Sequence, residues 1–308
     1  MTAPLPDAQP ANWVDRYTSG RLQLWLKVGR FDRPAGIWLL MMPGWQGVAL
    51  AAAEDGRWPN LWLIVAMVIG AALMRAAGCA YNDLVDRDID TKVARTAQRP
   101  LAAGLVSWRG VLAFITATSL IALFILLNMG VTAILLGLAS LVLVAAYPFM
   151  KRITWWPQAW LGLTFNWGAM LGYVADKQHL SLSAILLYAG GLFWTLGYDT
   201  IYALQDLEDD ALVGVKSSAR RLGSRVKPAV LAFYAVAFGL AVASAWIGGL
   251  GPLFLPFVGL YALHLSHQAS QLDRDNPAKA LTLFKSNSVA GLILFTGIVA
   301  GLWQPAGF

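Results

Sequence analysis

The sequence predicts an all-α polytopic membrane protein. Of its 308 residues, 58% are hydrophobic and only 13% are charged, whereas a soluble domain carries about 25% charged residues. Several apolar runs approach or exceed the roughly 20 residues that a helix needs to cross a bilayer. These runs are continuous and do not alternate with a period of two, so helices are expected and β-barrel strands are not.

About nine transmembrane helices are expected in a single membrane-embedded domain over residues 1–308. Residues 1–35 of this domain are expected to form an N-terminal surface arm. Apolar and basic residues are mixed in this arm, so it is either an amphipathic helix on the membrane surface or a docked segment without a function of its own. The expected spans are residues 36–54, 61–85, 110–127, 130–148, 156–175, 181–205, 228–248, 251–270 and 286–304.

The distribution of basic residues predicts the orientation. Of the 23 lysines and arginines, 20 fall in the arm and in the loops on one side of the membrane. Only Arg57 and Lys177 fall on the other side, and Arg75 lies inside a span. An excess of basic residues marks the cytoplasmic side. We therefore expect a bacterial inner (cytoplasmic) membrane protein whose active-site loops are cytoplasmic, with the lipid bilayer and not nucleic acid as the partner of its net charge of +6.

Two acidic clusters lie at the basic side, within residues 82–90 and 199–210, and hold nine of the chain's 17 acids. Residues four apart share a helix face, so Asn82, Asp86 and Asp90 should converge. Converging carboxylates repel each other unless a cation lies between them, and oxygen ligands suit Mg²⁺. The candidate metal ligands are Asn82, Asp83, Asp86, Asp90, Asp206 and Asp210.

Basic residues follow each cluster with a similar spacing. They would repel a bare metal ion, but they suit an oxygen-rich anion such as a diphosphate that arrives with the metal. The repeated spacing, with four spans between its copies, predicts a tandem four-helix pseudo-repeat followed by a ninth helix. The alternative is a pair of ordinary solvated loops. The candidate diphosphate ligands are Arg95, Arg99, Tyr147, Lys151, Arg152, Lys216 and Arg220.

Two ionisable residues lie inside predicted spans. Arg75 precedes Asn82 by seven residues, which places it two helical turns, or about 10 Å, deeper. Asp199 precedes Asp206 by the same number of residues. Ionisable groups within a span are costly and indicate function. We expect Arg75 to bind a substrate carboxylate and Asp199 to accept a proton or a hydrogen bond from a hydroxyl; alternatively, the two residues pair with each other.

The two motifs resemble the signatures of the UbiA superfamily of membrane prenyltransferases. These motifs are Asn82-Asp83-x2-Asp86-x3-Asp90 and Tyr198-Asp199-x6-Asp206-x3-Asp210. Residues 74–79, 95–101, 147–152 and 198–203 are similar to the 4-hydroxybenzoate polyprenyltransferase branch, which serves ubiquinone biosynthesis. The resemblance implies nine helices around a central cavity that opens to lipid. It also implies that Mg²⁺ bridges both motifs and a polyprenyl diphosphate, and that the ring carbon ortho to the hydroxyl of 4-hydroxybenzoate is prenylated.

Two other functions remain open. An enzyme of a related branch would prenylate another acceptor, such as homogentisate or haem. A duplicated helical bundle with charges inside its spans is also typical of transporters. The repeats here are tandem and not inverted, and the acidic clusters lie at one membrane face, so the enzyme is favoured.

Overall fold

The computed structural model describes residues 12–91, 96–207, 212 and 214–303, and within these ranges all regular secondary structure is helical. The predicted all-α class is therefore confirmed. Two compact units can be distinguished, and the long helices α3 and α4 contribute residues to both. The first unit is Met1–Trp38 with Val68–Asn128, and the second is Leu39–Met67 with Met129–Phe308.

The first unit packs the N-terminal arm against helices that carry the first motif. Val28 of the arm forms a buried cluster with Ala80, Leu101 and Val111, and the Trp25 ring stacks on Phe114 at 5.6 Å between ring centroids. The arm is thus part of the core of this unit. The helices that enter this unit are α1 (Trp13–Tyr17), α2 (Gly20–Val28), the start of α3 (Ala35–Glu54), most of α4 (Leu61–Val85), α5 (Arg87–Asp90) and α6 (Trp108–Leu126).

The second unit is a bundle whose helices approach closely at glycines. A Cβ atom added to Gly172 would lie 2.3 Å from the carbonyl oxygen of Gly44, and one added to Gly197 would lie 2.3 Å from a ring carbon of Tyr234. Small residues at contacts let membrane helices pack tightly. Besides the rest of α3 and α4, its helices are α7 (Val131–Ile153), α8 (Pro157–Lys177), α9 (Leu182–Tyr202), α10 (Ser218–Leu222), α11 (Val226–Ile247), α12 (Phe254–Gln271) and α13 (Pro277–Ala300), with 3-10 turns at Ala203–Asp206 and Gly223–Arg225.

Six segments of the described chain are long and apolar enough to span a membrane. Three further predicted spans coincide with the long helices α8, α9 and α12, so the count of nine remains a prediction. The qualifying segments are Ala35–Glu54, Leu61–Val85, Trp108–Leu126, Val131–Ile153, Ser218–Ile247 and Pro277–Ala300.

Two helices extend beyond their predicted spans. Helix α7 continues through Pro148 to Ile153, so Tyr147 and Lys151 lie one turn apart on a helix. Helix α13 begins at Pro277 and not near residue 286, because the Asn276 side chain accepts a hydrogen bond from the Lys279 amide and caps the helix. Asparagine at the cap and proline in the first turn are both strong start signals, which outweigh the polarity of the following turns.

Candidate functional site

The first acidic motif keeps a helical register through a break in regular structure. Helix α4 ends at Val85, and the short α5 begins at Arg87. The Asp86 amide nevertheless donates to the Asn82 carbonyl, and the Asp90 amide donates to the Asp86 carbonyl, both at 2.9 Å. These bonds connect residues four apart, so Asn82, Asp86 and Asp90 remain on one face.

Three buried carboxylates of this motif are paired with two arginines, of which Arg30 is buried and Arg99 is half-buried. Asp83, Asp86 and Asp90 are 3%, 0% and 5% exposed. Arg30 donates to Oδ1 of Asp83 at 2.7 Å. Arg99 donates to the same oxygen at 3.1 Å and to Oδ2 of Asp90 at 2.8 Å. Arg99, which was predicted to be a diphosphate ligand, therefore joins two of the acids, whereas Arg30 was missed because it lies 53 residues before Asp83.

The charge of this cluster suits a divalent cation. Burial raises the pKa of Asp90, and the negative charge of Asp83 adds to the rise, while Arg99 opposes it. Oδ2 of Asp83 is buried and accepts no hydrogen bond from the described residues. Among those residues, no group of three or more His, Cys, Asp or Glu side chains is arranged to hold a metal ion. Mg²⁺ takes only one or two protein carboxylates and completes its shell with waters and substrate phosphates, so the oxygen ligands of Asp86 and Asp90 are of the type that this ion uses.

Arg75 lies on α4 and its guanidinium packs against the start of α3. A Cβ atom added to Gly36 would be 2.5 Å from both Nε and Nη2 of Arg75. Only a residue without a side chain leaves this space open. Gly36 thus fixes one boundary of the position that Arg75 occupies, and the sequence alone gave no signal for this contact.

The second acidic motif has a different local structure. Helix α9 carries half-buried Asp199 and ends at Tyr202, and Asp206 closes the 3-10 turn Ala203–Asp206. A 3-10 turn rotates about 120° and rises about 2.0 Å per residue, more than an α-helix does. Asp199 and Asp206 therefore do not repeat the relation of Arg75 to Asn82, and the expectation of equal geometry is wrong. Asp210 lies outside the described residues, as does Arg95 of the first motif.

A buried hydrogen-bond network involves the residues of α9 that precede Asp199. Asn166 donates to the Thr195 hydroxyl at 2.7 Å, and Thr195 donates to the Tyr198 hydroxyl at 3.1 Å. Trp194 donates to Asn287 at 2.8 Å. Polar side chains in apolar spans are the signal for such a network, but the sequence did not tell which of them meet.

The basic residues of the second unit fall into two groups. The Lys216 amide donates to the Lys151 carbonyl at 3.0 Å, so the loop before α10 runs beside the end of α7. Arg220 lies 5.5 Å from the ring centre of Trp155 and donates to the Val215 carbonyl. Lys151 and Lys216 are therefore brought together, whereas the Arg220 contacts hold the loop. The exposed Arg152 lies over the Phe149 ring at 5.9 Å.

Comparison with known proteins gives a family for this chain. The model of the UbiA prenyltransferase family matches residues 40–295. A protein of Aedes aegypti named "4-hydroxybenzoate polyprenyltransferase, mitochondrial" is 48% identical over 88% of this chain and 62% of its own length. A human protein of the same name is 45% identical over 92% of this chain and 76% of its own length. The chain thus spans less than two thirds of the mosquito protein.

Solved structures share the fold. A UbiA homologue from Aeropyrum pernix K1, in its apo form, has a TM-score of 0.72 and 29% identity over 85% of this chain and 96% of its own. A UbiA homologue from Archaeoglobus fulgidus, bound to GPP and Mg²⁺, has a TM-score of 0.66 and 17% identity over 90% of this chain and 99% of its own. These matches support the membrane-embedded helical architecture.

The comparisons correct the predicted location. The sequence analysis placed the chain in a bacterial inner membrane with its active-site loops in the cytoplasm. The relatives from Aedes aegypti and Homo sapiens are named as mitochondrial proteins. The bacterial location is therefore wrong on this comparison. The excess of basic residues on one side distinguishes two membrane faces, but it does not distinguish one organelle or organism from another.

Proposed function

Because this chain belongs to the UbiA prenyltransferase family, we propose that it transfers a polyprenyl group from polyprenyl diphosphate to 4-hydroxybenzoate in ubiquinone biosynthesis. The relatives named for this activity support the acceptor. The structural observation that carries the proposal is the buried cluster of Asp83, Asp86 and Asp90 with Arg30 and Arg99. An excess of buried carboxylates with arginines beside them suits a metal–diphosphate ligand.

The metal ligands in this proposal are Asn82, Asp86 and Asp90 of the first motif and Asp206 and Asp210 of the second. Bound Mg²⁺ supplies charge neutralisation at the diphosphate leaving group. The use of a divalent metal is supported by a protein of the same fold that was solved with Mg²⁺. We propose Mg²⁺ as the ion and these five residues as its ligands. Asp83 was also a candidate metal ligand, but its Oδ1 pairs with Arg30 and Arg99.

The diphosphate is assigned to basic residues beside the motifs. Arg99 is held on Asp90, and Lys151 lies beside Lys216. Tyr147 lies one turn before Lys151 on α7. The remaining candidates are Arg95, Arg152 and Arg220. Cations at fixed positions stabilise the charge that develops on the leaving group without having to reorganise.

The acceptor is assigned to Arg75 and Asp199. A guanidinium offers two parallel donors to a carboxylate, so Arg75 orients the benzoate. Asp199 accepts a hydrogen bond or the proton of the phenol hydroxyl, which makes the ring more electron-rich. The allylic C–O bond then breaks with its electron pair on the diphosphate. The ortho ring carbon forms the new C–C bond, and one ring proton is released when aromaticity returns.

One assay tests the function. Detergent-solubilised protein, Mg²⁺, geranyl diphosphate and 4-hydroxybenzoate should yield geranyl-4-hydroxybenzoate, identified by its mass. The reaction needs no gradient, which separates it from transport. Homogentisate supplied in place of 4-hydroxybenzoate is the matched alternative. Product from homogentisate alone would move the chain to another acceptor, and no prenylated product from any acceptor would reject the function.

A further inference from the structure

Arg30 stands at a backbone position that favours glycine. It follows the last residues of α2 with a φ of +59°. The Gly29 amide donates to the Trp25 carbonyl and the Phe31 amide donates to the Leu26 carbonyl, both at 3.0 Å. These bonds close the C-terminal turn of α2, where glycine is usual because a side chain disfavours positive φ. An arginine here indicates a role for its side chain that outweighs the local strain.

The side chain of Arg30 is buried against the first motif. Arg30 is 5% exposed, and its Nη2 lies 2.7 Å from Oδ1 of Asp83. Arg99 shares this oxygen and continues to Asp90. Four alternating charges thus run from the arm to a predicted metal ligand: Arg30, Asp83, Arg99 and Asp90.

Contacts within the N-terminal arm hold α1 and α2 together. Lys27 pairs with Asp15 at 2.7 Å and is 1% exposed. The Trp13 indole donates to the Phe31 carbonyl at 2.7 Å. Because these contacts join α1 to α2 and Phe31, loss of the Arg30 contact should loosen both helices.

We propose that Arg30 and Asp83 are positioning residues: their ion pair seats the N-terminal arm and fixes Arg99 against Asp90, and Asp83 does not bind the metal. Asp83 follows Asn82 directly, so it lies about 100° from the face of Asn82, Asp86 and Asp90. Its Oδ1 already accepts two guanidinium groups. Its buried Oδ2 accepts no hydrogen bond from the described residues, and the metal titration of Asp83→Asn tests whether this oxygen reaches the ion. The kinetic side of this inference rests on the proposed function, whereas the structural side does not.

Limited trypsin digestion of the metal-free protein tests the seating of the arm. Cleavage after Lys27 requires the arm to open, because this residue is buried in α2. Breaking one partner of a buried ion pair leaves an uncompensated charge, which is strongly destabilising. Arg30→Gly suits the turn but removes the guanidinium. This variant and Asp83→Asn should each be cleaved at least about tenfold faster than the wild type.

The double variant and a control complete this experiment. Arg30→Gly with Asp83→Asn removes both charges, so its cleavage rate should fall back below that of either single variant. Arg57→Gln breaks the ion pair with Asp176 in the second unit and should leave cleavage after Lys27 unchanged. Wild-type cleavage rates in both single variants would overturn the proposal.

A metal titration separates positioning from ligation. Thermal melting, followed by tryptophan fluorescence with inorganic diphosphate as the probe, gives the Mg²⁺ concentration for half of the stabilisation. This concentration should rise at least about a hundredfold in Asp86→Asn, which loses a proposed ligand, and only about tenfold in Asp83→Asn, which loses a contact behind the ligands. An equal rise in both variants would make Asp83 a ligand and overturn the proposal.

Turnover gives the remaining readout. The KM for geranyl diphosphate should rise in Asp83→Asn, because Arg99 loses the contact that aligns it, whereas the KM for 4-hydroxybenzoate should not change. An unchanged KM for geranyl diphosphate would contradict the positioning role. A wild-type protein without any prenyl transfer would reject the proposed function but would leave the digestion result standing.

Discussion

The two acidic motifs share a spacing of residues but not a structure. In the first motif, α4 and α5 keep hydrogen bonds between residues four apart, and two arginines, one buried and one half-buried, compensate the acids. In the second motif, α9 gives way to a 3-10 turn before Asp206. Hydroxyl and amide hydrogen bonds join the residues beside Asp199. Equal spacing in sequence therefore does not ensure equal geometry.

This difference suggests different tasks for the motifs. A buried set of charges that arginines balance only in part is suited to bind a cation together with its anion. Asp199 is a half-buried carboxylate on a helix that neutral hydrogen bonds help to hold in place, which suits the proposed role of a proton acceptor. We expect the first motif to dominate binding of the metal and diphosphate, and Asp199 of the second motif to act on the acceptor.

The largest expected effect comes from Asp86, which is fully buried. Asp86→Asn should lower kcat by a factor on the order of 10²–10³, because an amide replaces a carboxylate that would hold the Mg²⁺ needed to neutralise the diphosphate leaving group. Asp88→Asn is the matched control, since the Asp88 side chain is 91% exposed in the same motif. Steady-state rates at saturating Mg²⁺ measure both. Equal losses of kcat in the two variants would contradict a special role for the helix face that Asn82, Asp86 and Asp90 share.

Asp199 should show the next largest effect, and one of a different kind. Asp199→Asn should reduce kcat about 10²-fold, within the range for loss of a general base, and leave the KM for geranyl diphosphate unchanged. Initial rates with each substrate varied in turn give both constants. If the KM for geranyl diphosphate rises and kcat does not fall, the division of tasks between the motifs is wrong.

The helical class and the first motif were predictable because they depend on local signals. Apolar runs of membrane length need helices to satisfy their backbone, and Asn82, Asp86 and Asp90 lie within two turns of one another. Arg30 could not be predicted, since its contact with Asp83 joins residues 53 apart. No periodicity encodes such a contact.

The structure of the second motif was not predictable from its spacing. Tyr202 ends α9 although the following residues are not helix breakers, and the chain continues to Asp206 as a 3-10 turn. Thr200 exchanges a hydrogen bond with Ser218 of α10 at 2.7 Å. Contacts of this kind decide where a helix ends.

A smaller effect is expected at Gly36. Gly36→Ala places a methyl group 2.5 Å from the Arg75 guanidinium, so Arg75 must shift, and the KM for 4-hydroxybenzoate should rise about tenfold. Gly78→Ala on α4 is the control, because its Cβ would meet nothing within 4 Å; it should keep the wild-type KM and raise stability by about 0.5–1 kcal/mol. The same KM for 4-hydroxybenzoate in both variants would contradict the proposal that Arg75 binds the acceptor.

The smallest kinetic effect should come from Thr195, which is fully buried and joins Asn166 to Tyr198. Thr195→Val keeps the shape of the side chain but removes the hydrogen bond that Thr195 donates to the Tyr198 hydroxyl and the one that it accepts from Asn166. The loss of stability should be about 1–3 kcal/mol, seen as a lower melting temperature in detergent. Thr116→Val on the exposed face of α6 is the control.

The kinetic result of this variant bears on the comparison of the motifs. Because Thr195 acts on Asp199 only through the orientation of α9, kcat should change by no more than about threefold, which corresponds to less than 1 kcal/mol in the barrier. The KM for geranyl diphosphate should remain that of the wild type. A loss of kcat as large as in Asp199→Asn would mean that the neutral network, and not the carboxylate alone, sets the reactivity of the second motif.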